Sequence, residues 1–321
     1  MKYQDKYFIY DNPVSGGIKN LIKGSVREGK AAIYKLLMNL FTPSVPEEKR
    51  YNVSICAIFK NEAPYLKEWI EFHKIVGVDH FYMYNNNSAD DYARILQPYI
   101  DSGDVTLVDW PHNQAQMRAY KDCIAQFAEE TKWLGFIDLD EFIVPKSTDD
   151  IYSYLKQFEK NRGSVVIYWK LFGTSGQYNR DLNGLVTEDF HVCWEKYCDI
   201  GKSFYNTRYA FNGDTNKNQC LHHVFWANWR GRDLPPVNLF DKVCLPGRNK
   251  ASSESFPIQI NHYFTKSYME YAAKRAKGDV YFKINPHDEA YFFHHEMKCM
   301  AVDHAADKYL IRLKQKMNKE D

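Results

Sequence analysis

The chain has 321 residues, of which 45% are hydrophobic and 26% charged. That length and composition fit a folded protein with a substantial core and exclude a short disulfide mini-protein or a disordered tail. Lys and Arg total 42 against 41 Asp and Glu, so the balance of charge gives no reason to expect nucleic acid as a partner.

No stretch approaches the roughly 18 consecutive apolar residues of a membrane span. The opening residues lack the basic, apolar, small-residue order of a signal peptide, so the expected location is the cytoplasm. Seven cysteines occur singly, without the close pairs of a zinc site or the density of a disulfide scaffold.

Residues 1–50 read as a helical appendage closed by Pro43 and Pro46. Its best helix runs from Glu28 to Phe41, with Ile33, Leu36, Leu37, Leu40 and Phe41 on one stripe. That stripe packs on the main domain or lies on a membrane surface. The apolar run Val53–Phe59 predicts a buried strand, and Lys60, Asn61 and Glu62 then lead into a helix through Trp69 and Phe72. A second strand over His80–Tyr84 ends in the polar turn Asn85–Ser88. A helix near Ile95–Tyr99, a strand at Val105–Asp109, a helix at Gln116–Phe127 and a strand at Trp133–Ile137 follow.

This alternation predicts an α/β fold with a predominantly parallel central sheet. In such sheets ligands collect beyond the carboxyl ends of the strands. Those ends here carry Asn61 and Glu62, then Asn85 and Asn87, then Asp109, then Asp138 and Asp140, so residues 51–150 read as the binding half. Residues 151–303 are less periodic and form an acceptor-side half. Residues 304–321 form a basic helix, which is a second candidate for peripheral contact with the inner face of a membrane.

The sharpest local feature is Asp138-Leu139-Asp140-Glu141-Phe142, directly after an apolar strand. In an extended chain Asp138 and Asp140 share a side, and their mutual repulsion is relieved by a proton or a cation. A hard divalent ion with phosphate oxygens in its shell is one solution. A solvated strand end with no ligand is the other.

Five segments in order, VSICAIFKNEAPYLKEWIEFHKIVGVDHFYMYNNNS, GFIDLDEFIVP, YWKLFGTSG, GLVTEDF and NHYFTKSYMEY, resemble glycosyltransferase family 92 and related bacterial family 2-like enzymes. The resemblance spans roughly residues 51–277. It implies a nucleotide-sugar-binding fold of the glycosyltransferase A type, Rossmann-like, and an inverting transfer of a hexosyl group to a sugar hydroxyl. Galactosyl from UDP-galactose is the donor implied, and a surface polysaccharide or lipid-linked oligosaccharide the acceptor.

On that resemblance Asp138 and Asp140 bind Mn²⁺ or Mg²⁺ against the diphosphate, with His262 as a nitrogen ligand. Asn61, Glu62, Asn85, Asn87, Asp109, Gln116 and Lys266 fall on the donor side, and Trp169, Thr174 and Ser175 on the acceptor side. Glu188 is the first candidate for the base that deprotonates the acceptor, with Asp189 and Glu195 as rivals. A nucleotide-sugar hydrolase and a noncatalytic carbohydrate-binding protein are the competing readings. The sequence leaves the oligomeric state open.

Overall fold

The computed structural model describes residues 18–43, 48–113, 115–245, 255–276 and 287–318. The start of the amino-terminal appendage and its Pro46 lie outside these residues. The first half contains helix α1 (Ile18–Leu40), then β1 (Tyr51–Phe59), α2 (Ala63–Ile75), β2 (His80–Asn85), α3 (Tyr92–Asp101), β3 (Val105–Asp109), α4 (Gln116–Phe127), β4 (Thr131–Phe136) and β5 (Glu141–Pro145). The second half contains α5 (Ile151–Leu155), β6 (Ser164–Leu171), α6 (Val186–Asp189), β7 (Val192–Trp194), β8 (Gly201–Asn206), β9 (Ala210–Phe211), β10 (Ala227–Trp229), β11 (Arg232–Leu234) and β12 (Val237–Asn238). It closes with β13 (Ile258–His262), α7 (Tyr268–Ala276), α8 (Glu289–Glu296), β14 (Cys299–Val302) and α9 (Asp307–Met317).

The domain is α/β, built on a nine-stranded sheet in the order β3-β2-β1-β4-β8-β6-β13-β5, with β12 paired to β6. Strands β3, β2, β1 and β4 are parallel, as the strand and helix rhythm predicts. Beyond β4 the sheet is mixed. β8 runs antiparallel to both β4 and β6, β13 is parallel to β6, and β5 is antiparallel to β13. The parallel expectation therefore describes one side of the sheet, and on the other non-consecutive strands pair, mostly antiparallel.

Local chemistry explains the elements that carry the site. Residues Val53 to Ala57 of β1 are all buried, which suits a central strand covered on both faces. Helix α2 starts with Pro64 in its first turn and turns Leu66, Trp69, Ile70 and Phe72 inward. The Asp90 carboxylate accepts from the Ala63 N–H at 2.8 Å and satisfies one of its otherwise unpaired donors. Gly77 ends the connection in a left-handed conformation, φ 89°, that any side chain would strain. Where β8 passes β6, a Cβ added at Gly201 would collide with the Ile167 carbonyl, so this position needs glycine for the close approach.

Helix α1 does not pack through its apolar stripe, which was one of the two placements the sequence allowed. The predicted stripe is not the packing face: Ile33, Leu36 and Leu40 are exposed, whereas Ala31 and Met38 are buried and Tyr34 packs edge-on to Trp226. A second and less apolar face of the same helix is fixed by polar contacts, with Arg162 donating to Asn39 Oδ1 at 2.9 Å. Helix α9 packs on α2 through buried Tyr309 and Leu313. No helix among the described residues is long and apolar enough to cross a membrane.

Candidate active site

The acidic segment is a turn between β4 and β5, not an extended strand end. Trp69 on α2 pins it, its indole N–H lying 3.1 Å from the Asp138 carbonyl and 2.9 Å from the Glu141 carbonyl. The Tyr263 N–H donates to the Asp140 carbonyl at 2.8 Å and ties the turn to the end of β13. Each carboxylate therefore points along its own fixed direction.

Asp138 turns toward α4 and β8. Its Oδ1 accepts from Gln116 Nε2 at 3.0 Å and Tyr120 O–H at 3.1 Å, and its Oδ2 lies 2.7 Å from Lys202 Nζ. Asp140 turns toward β13 and α7. It pairs with Lys274, and its Oδ1 lies 3.5 Å from His262 Nε2. The expectation that the two aspartates share one side is thus corrected: the turn sends them to different partners.

Burial alone would raise all three carboxyls of the turn, and the neighbouring cations decide the outcome. Lys202 holds Asp138 below its ordinary value, while Lys274, His262 and Lys266 hold Asp140 well below it. Glu141 is fully buried, and burial with the two aspartates beside it keeps its carboxyl well above the usual range despite Lys202. Burial lowers His262 and Lys266, favouring their neutral forms, though Asp140 opposes it in both.

Ligand atoms of Asp140, Glu141 and His262 lie within 4.8 Å of one another. His262 Nδ1 is buried without a hydrogen-bond partner, which is costly unless something else satisfies it, and Glu141 Oε1 makes no hydrogen bond but lies 3.5 Å from the Lys202 ammonium. Two acidic side chains and an imidazole form a donor set that fits a divalent cation.

A cavity of about 370 Å³ opens beside this turn, lined in part by Glu62, Tyr65, Arg180, Lys266, Glu270 and Lys274. Lys266, in a left-handed backbone conformation, sets its ammonium 4.2 Å from the Tyr65 ring centre. Glu270 accepts from Tyr65 O–H at 2.8 Å, from the Ser267 N–H and hydroxyl at 3.0 and 2.6 Å, and from Arg180 Nε at 3.1 Å. Arg180 also reaches Asp189 at 2.8 Å. Lys202, Lys274, Tyr65, Arg180 and Glu270 were not singled out by the sequence. Tyr65 and Glu270 lie within the quoted family segments and Lys274 three residues beyond the last of them, but nothing in the spacing marks them.

The other expected residues divide by placement. Trp169 stands at the cluster, its ring centre 4.6 Å from that of His262 and 5.7 Å from Lys202 Nζ. Asn61, Asn85, Asn87 and Asp109 form a shelf at the ends of β1 to β3. Asn85 donates to Asp109 Oδ1 at 3.2 Å and accepts from the Ser88 N–H at 2.9 Å, while Asn61 accepts from the Ala89 N–H at 2.7 Å. Asn61 and Asn87 both have φ of 55°, which asparagine tolerates better than most residues. The Asn61 side chain holds the turn, and Asn87 is exposed.

Thr174 and Ser175, expected on the acceptor side, have their hydroxyls engaged within the protein. Thr174 gives both its N–H and its hydroxyl to Glu296, at 3.0 and 2.7 Å, and Ser175 Oγ accepts from the N–H groups of His191 and Val192 at 3.0 and 3.1 Å. These hydroxyls fix the loop against α8 and β7. Glu188, the first candidate for the base, faces the carboxyl-terminal helix. It sits on the single turn α6, pairs with Lys314 of α9, and is not among the residues lining the cavity.

Residues 49–215 match the model of glycosyltransferase family 92, more than half of the chain. The chain belongs to glycosyltransferase family 92. It is 30% identical over 171 residues to a family 92 protein of Ricinus communis, covering 50% of this chain and 31% of that protein. It is 33% identical over 116 residues to the beta-1,4-galactosyltransferase galt-1 of Caenorhabditis elegans, covering 31% of this chain and 27% of that one. The matched stretches thus span about a third or less of these relatives' lengths. Among solved structures, the crystal structure of S. aureus TarS 1-349 gives a TM-score of 0.34 at 13% identity, covering 49% of this chain and 47% of that one. The family 92 stretch contains the acidic turn, while His262, Lys266 and Lys274 come from the chain beyond it.

Proposed function

We propose that this family 92 chain is a glycosyltransferase that moves a hexosyl group from a UDP-sugar to a sugar hydroxyl, with a divalent cation at the acidic turn. The observation that carries the reading is the convergence of Asp140, Glu141 and His262, with His262 Nδ1 buried and without a hydrogen-bond partner, beside a cavity lined by lysines. The galactosyl donor and a glycan or lipid-linked acceptor are supported by the sequence resemblance and by the activity that the name of the C. elegans relative carries. A glycosyltransferase A arrangement is supported by the parallel strands and by the placement of the acidic turn after β4.

Asp140, Glu141 and His262 would hold Mn²⁺ or Mg²⁺, which supplies positive charge to the departing diphosphate. Lys266 and Lys274 add their own charge to the same oxygens from the cavity wall. Lys202 neutralises Asp138 and Glu141, so that Asp138 orders Gln116 and Tyr120 instead of repelling its neighbour. Inversion at the anomeric carbon needs a base on the opposite face. Glu62 lines the cavity, which Glu188 does not, and is the carboxylate we assign to that role ahead of Glu188.

The test is incubation with a panel of UDP-sugars and oligosaccharide or lipid-linked acceptors, with Mn²⁺ or with chelator, and products read by mass spectrometry. A new glycosidic bond that requires the metal supports the reading. Free sugar alone would identify a nucleotide-sugar hydrolase, and carbohydrate binding without UDP release a noncatalytic module. Transfer that persists in chelator would leave the lysines as the only cations at the leaving group.

A further inference from the structure

Helix α1 has two apolar faces, and the body of the protein covers only the weaker one. Ala31, Tyr34 and Met38 turn inward, while Val26, Ile33, Leu36 and Leu40 stand 52%, 60%, 58% and 65% exposed. The outward stripe continues through Phe41 into a groove of about 200 Å³ shared by Leu37, Phe41, Trp229, Arg230, Arg232 and Leu234. This joins the helix end to the edge of the small sheet β11-β10-β9.

The charge of the patch has one sign. The Arg232 guanidinium lies 5.3 Å from the Phe41 ring centre and that of Arg230 5.3 Å from the Trp229 ring. Both arginines are exposed, and neither has a carboxylate partner among the described residues. At 100° per residue the outward sector of α1 contains Val26, Lys30, Ile33, Leu36, Leu37 and Leu40, while Glu28 falls on the opposite flank. An aliphatic stripe continued by an aromatic pair and rimmed by cations is the pattern of a helix lying in a lipid interface. A second copy of the chain would bring the same guanidinium rim to the contact, with no carboxylate in the patch to meet it.

We propose that this face seats the protein on an anionic lipid bilayer. Helix α1, about 35 Å long, lies along the surface with Ile33, Leu36 and Leu40 among the acyl chains. Arg230, Arg232 and Lys30 sit at the level of the phosphates. The proposal is independent of the chemistry assigned to the acidic turn and holds whichever sugar is transferred.

Cosedimentation of the full chain with vesicles of phosphatidylcholine, alone or mixed with phosphatidylglycerol, tests it. The protein is expected to bind the mixed vesicles, to be released by added salt, and to bind pure phosphatidylcholine weakly. The double variant Ile33→Asp, Leu40→Asp should bind at least roughly tenfold more weakly. Arg230→Glu, Arg232→Glu should lose about fivefold per cation on anionic vesicles only. All these positions are exposed, so thermal melting should be unchanged, and the arginine pair decides the matter if the aspartates disturb the helix. Three results would overturn the proposal: no wild-type binding to anionic vesicles, binding insensitive to both double variants, or a wild-type dimer in light scattering that I33D/L40D dissociates.

Discussion

Lys202 Nζ lies 2.7 Å from Asp138 Oδ2 and 3.5 Å from Glu141 Oε1, so a single buried ammonium serves both carboxylates that flank Asp140. Its side chain is 1% exposed, and nothing but this arrangement keeps a lysine charged at such depth. Burial would lower the Lys202 ammonium, and the two carboxylates more than reverse that. Lys202→Met is therefore expected to cost about 3–5 kcal/mol, because it strands two acids in the interior. Adding Glu141→Gln should recover part of the loss. Urea unfolding of the three proteins measures this, and a K202M variant as stable as wild type would show that the ammonium carries no such burden.

Asp140 offers the opposite case, since Lys274, its partner, has a side chain 44% exposed and can turn to water when the carboxylate is gone. Asp140→Asn should leave the melting temperature within a few degrees while weakening Mn²⁺ binding by at least roughly tenfold. UDP release should fall by about 100-fold or more. Calorimetric titration with Mn²⁺ and a UDP-release assay give the two readings. Wild-type metal affinity in folded D140N would remove Asp140 from the ligand set.

The position of Glu188 against Lys314 turns the choice of base into a three-way comparison. Glu188→Gln breaks only a half-exposed pair, so transfer should stay within about threefold of wild type and stability within about 1 kcal/mol. Glu62→Gln should lower kcat by at least roughly 100-fold with little change in donor affinity. Glu270→Gln should disturb Tyr65, Arg180 and Ser267 together and raise KM. A large kcat loss in E188Q with a normal E62Q would reverse the assignment.

Acid stability has a marker away from the acidic turn. His73 accepts the Ile143 N–H at Nε2, 3.1 Å away, and its Nδ1 lies 2.8 Å from the Trp69 carbonyl, so the folded ring is neutral with its proton on Nδ1. Burial pushes its pKa down to about 3. The unfolded chain takes up that proton near pH 6.5 and the folded chain refuses it. The neutral ring thus costs nothing above about pH 6.5, and stability falls as pH drops from there toward the folded value. The expected slope for this group is about 1.4 kcal/mol per pH unit. His73→Asn should be less stable at neutral pH and lose that share of the slope between pH 6 and 4. Equal slopes in urea unfolding of variant and wild type would contradict it.

The parallel strands were legible because each is a short apolar run ended by polar residues. Predicted and observed bounds for β1 to β4 agree within two residues. The acidic turn was legible as a motif but not as a shape, because the chain's bend at Leu139 and Asp140 is fixed by Trp69 and Tyr263, far away in sequence. Lys202 and Lys274 were not legible at all. A lysine in a strand and a lysine in a helix look alike whether they face water or a carboxylate, and their placement follows from the mixed side of the sheet. The stripe on α1 was legible as an apolar face but not as a packing face, because the fold spends the weaker face of that helix on packing.

The seating of β5 has a consequence for how the site comes into being. This strand hydrogen-bonds to β13 alone, and the two are separated by more than a hundred residues of chain. While the polypeptide leaves the ribosome, Glu141 to Pro145 must wait as a bare apolar edge until Ile258 to His262 arrive. The cation pocket is therefore the latest part of the sheet to close, and a nascent chain stalled before residue 258 would present a sticky ribbon where the finished protein keeps its ligands.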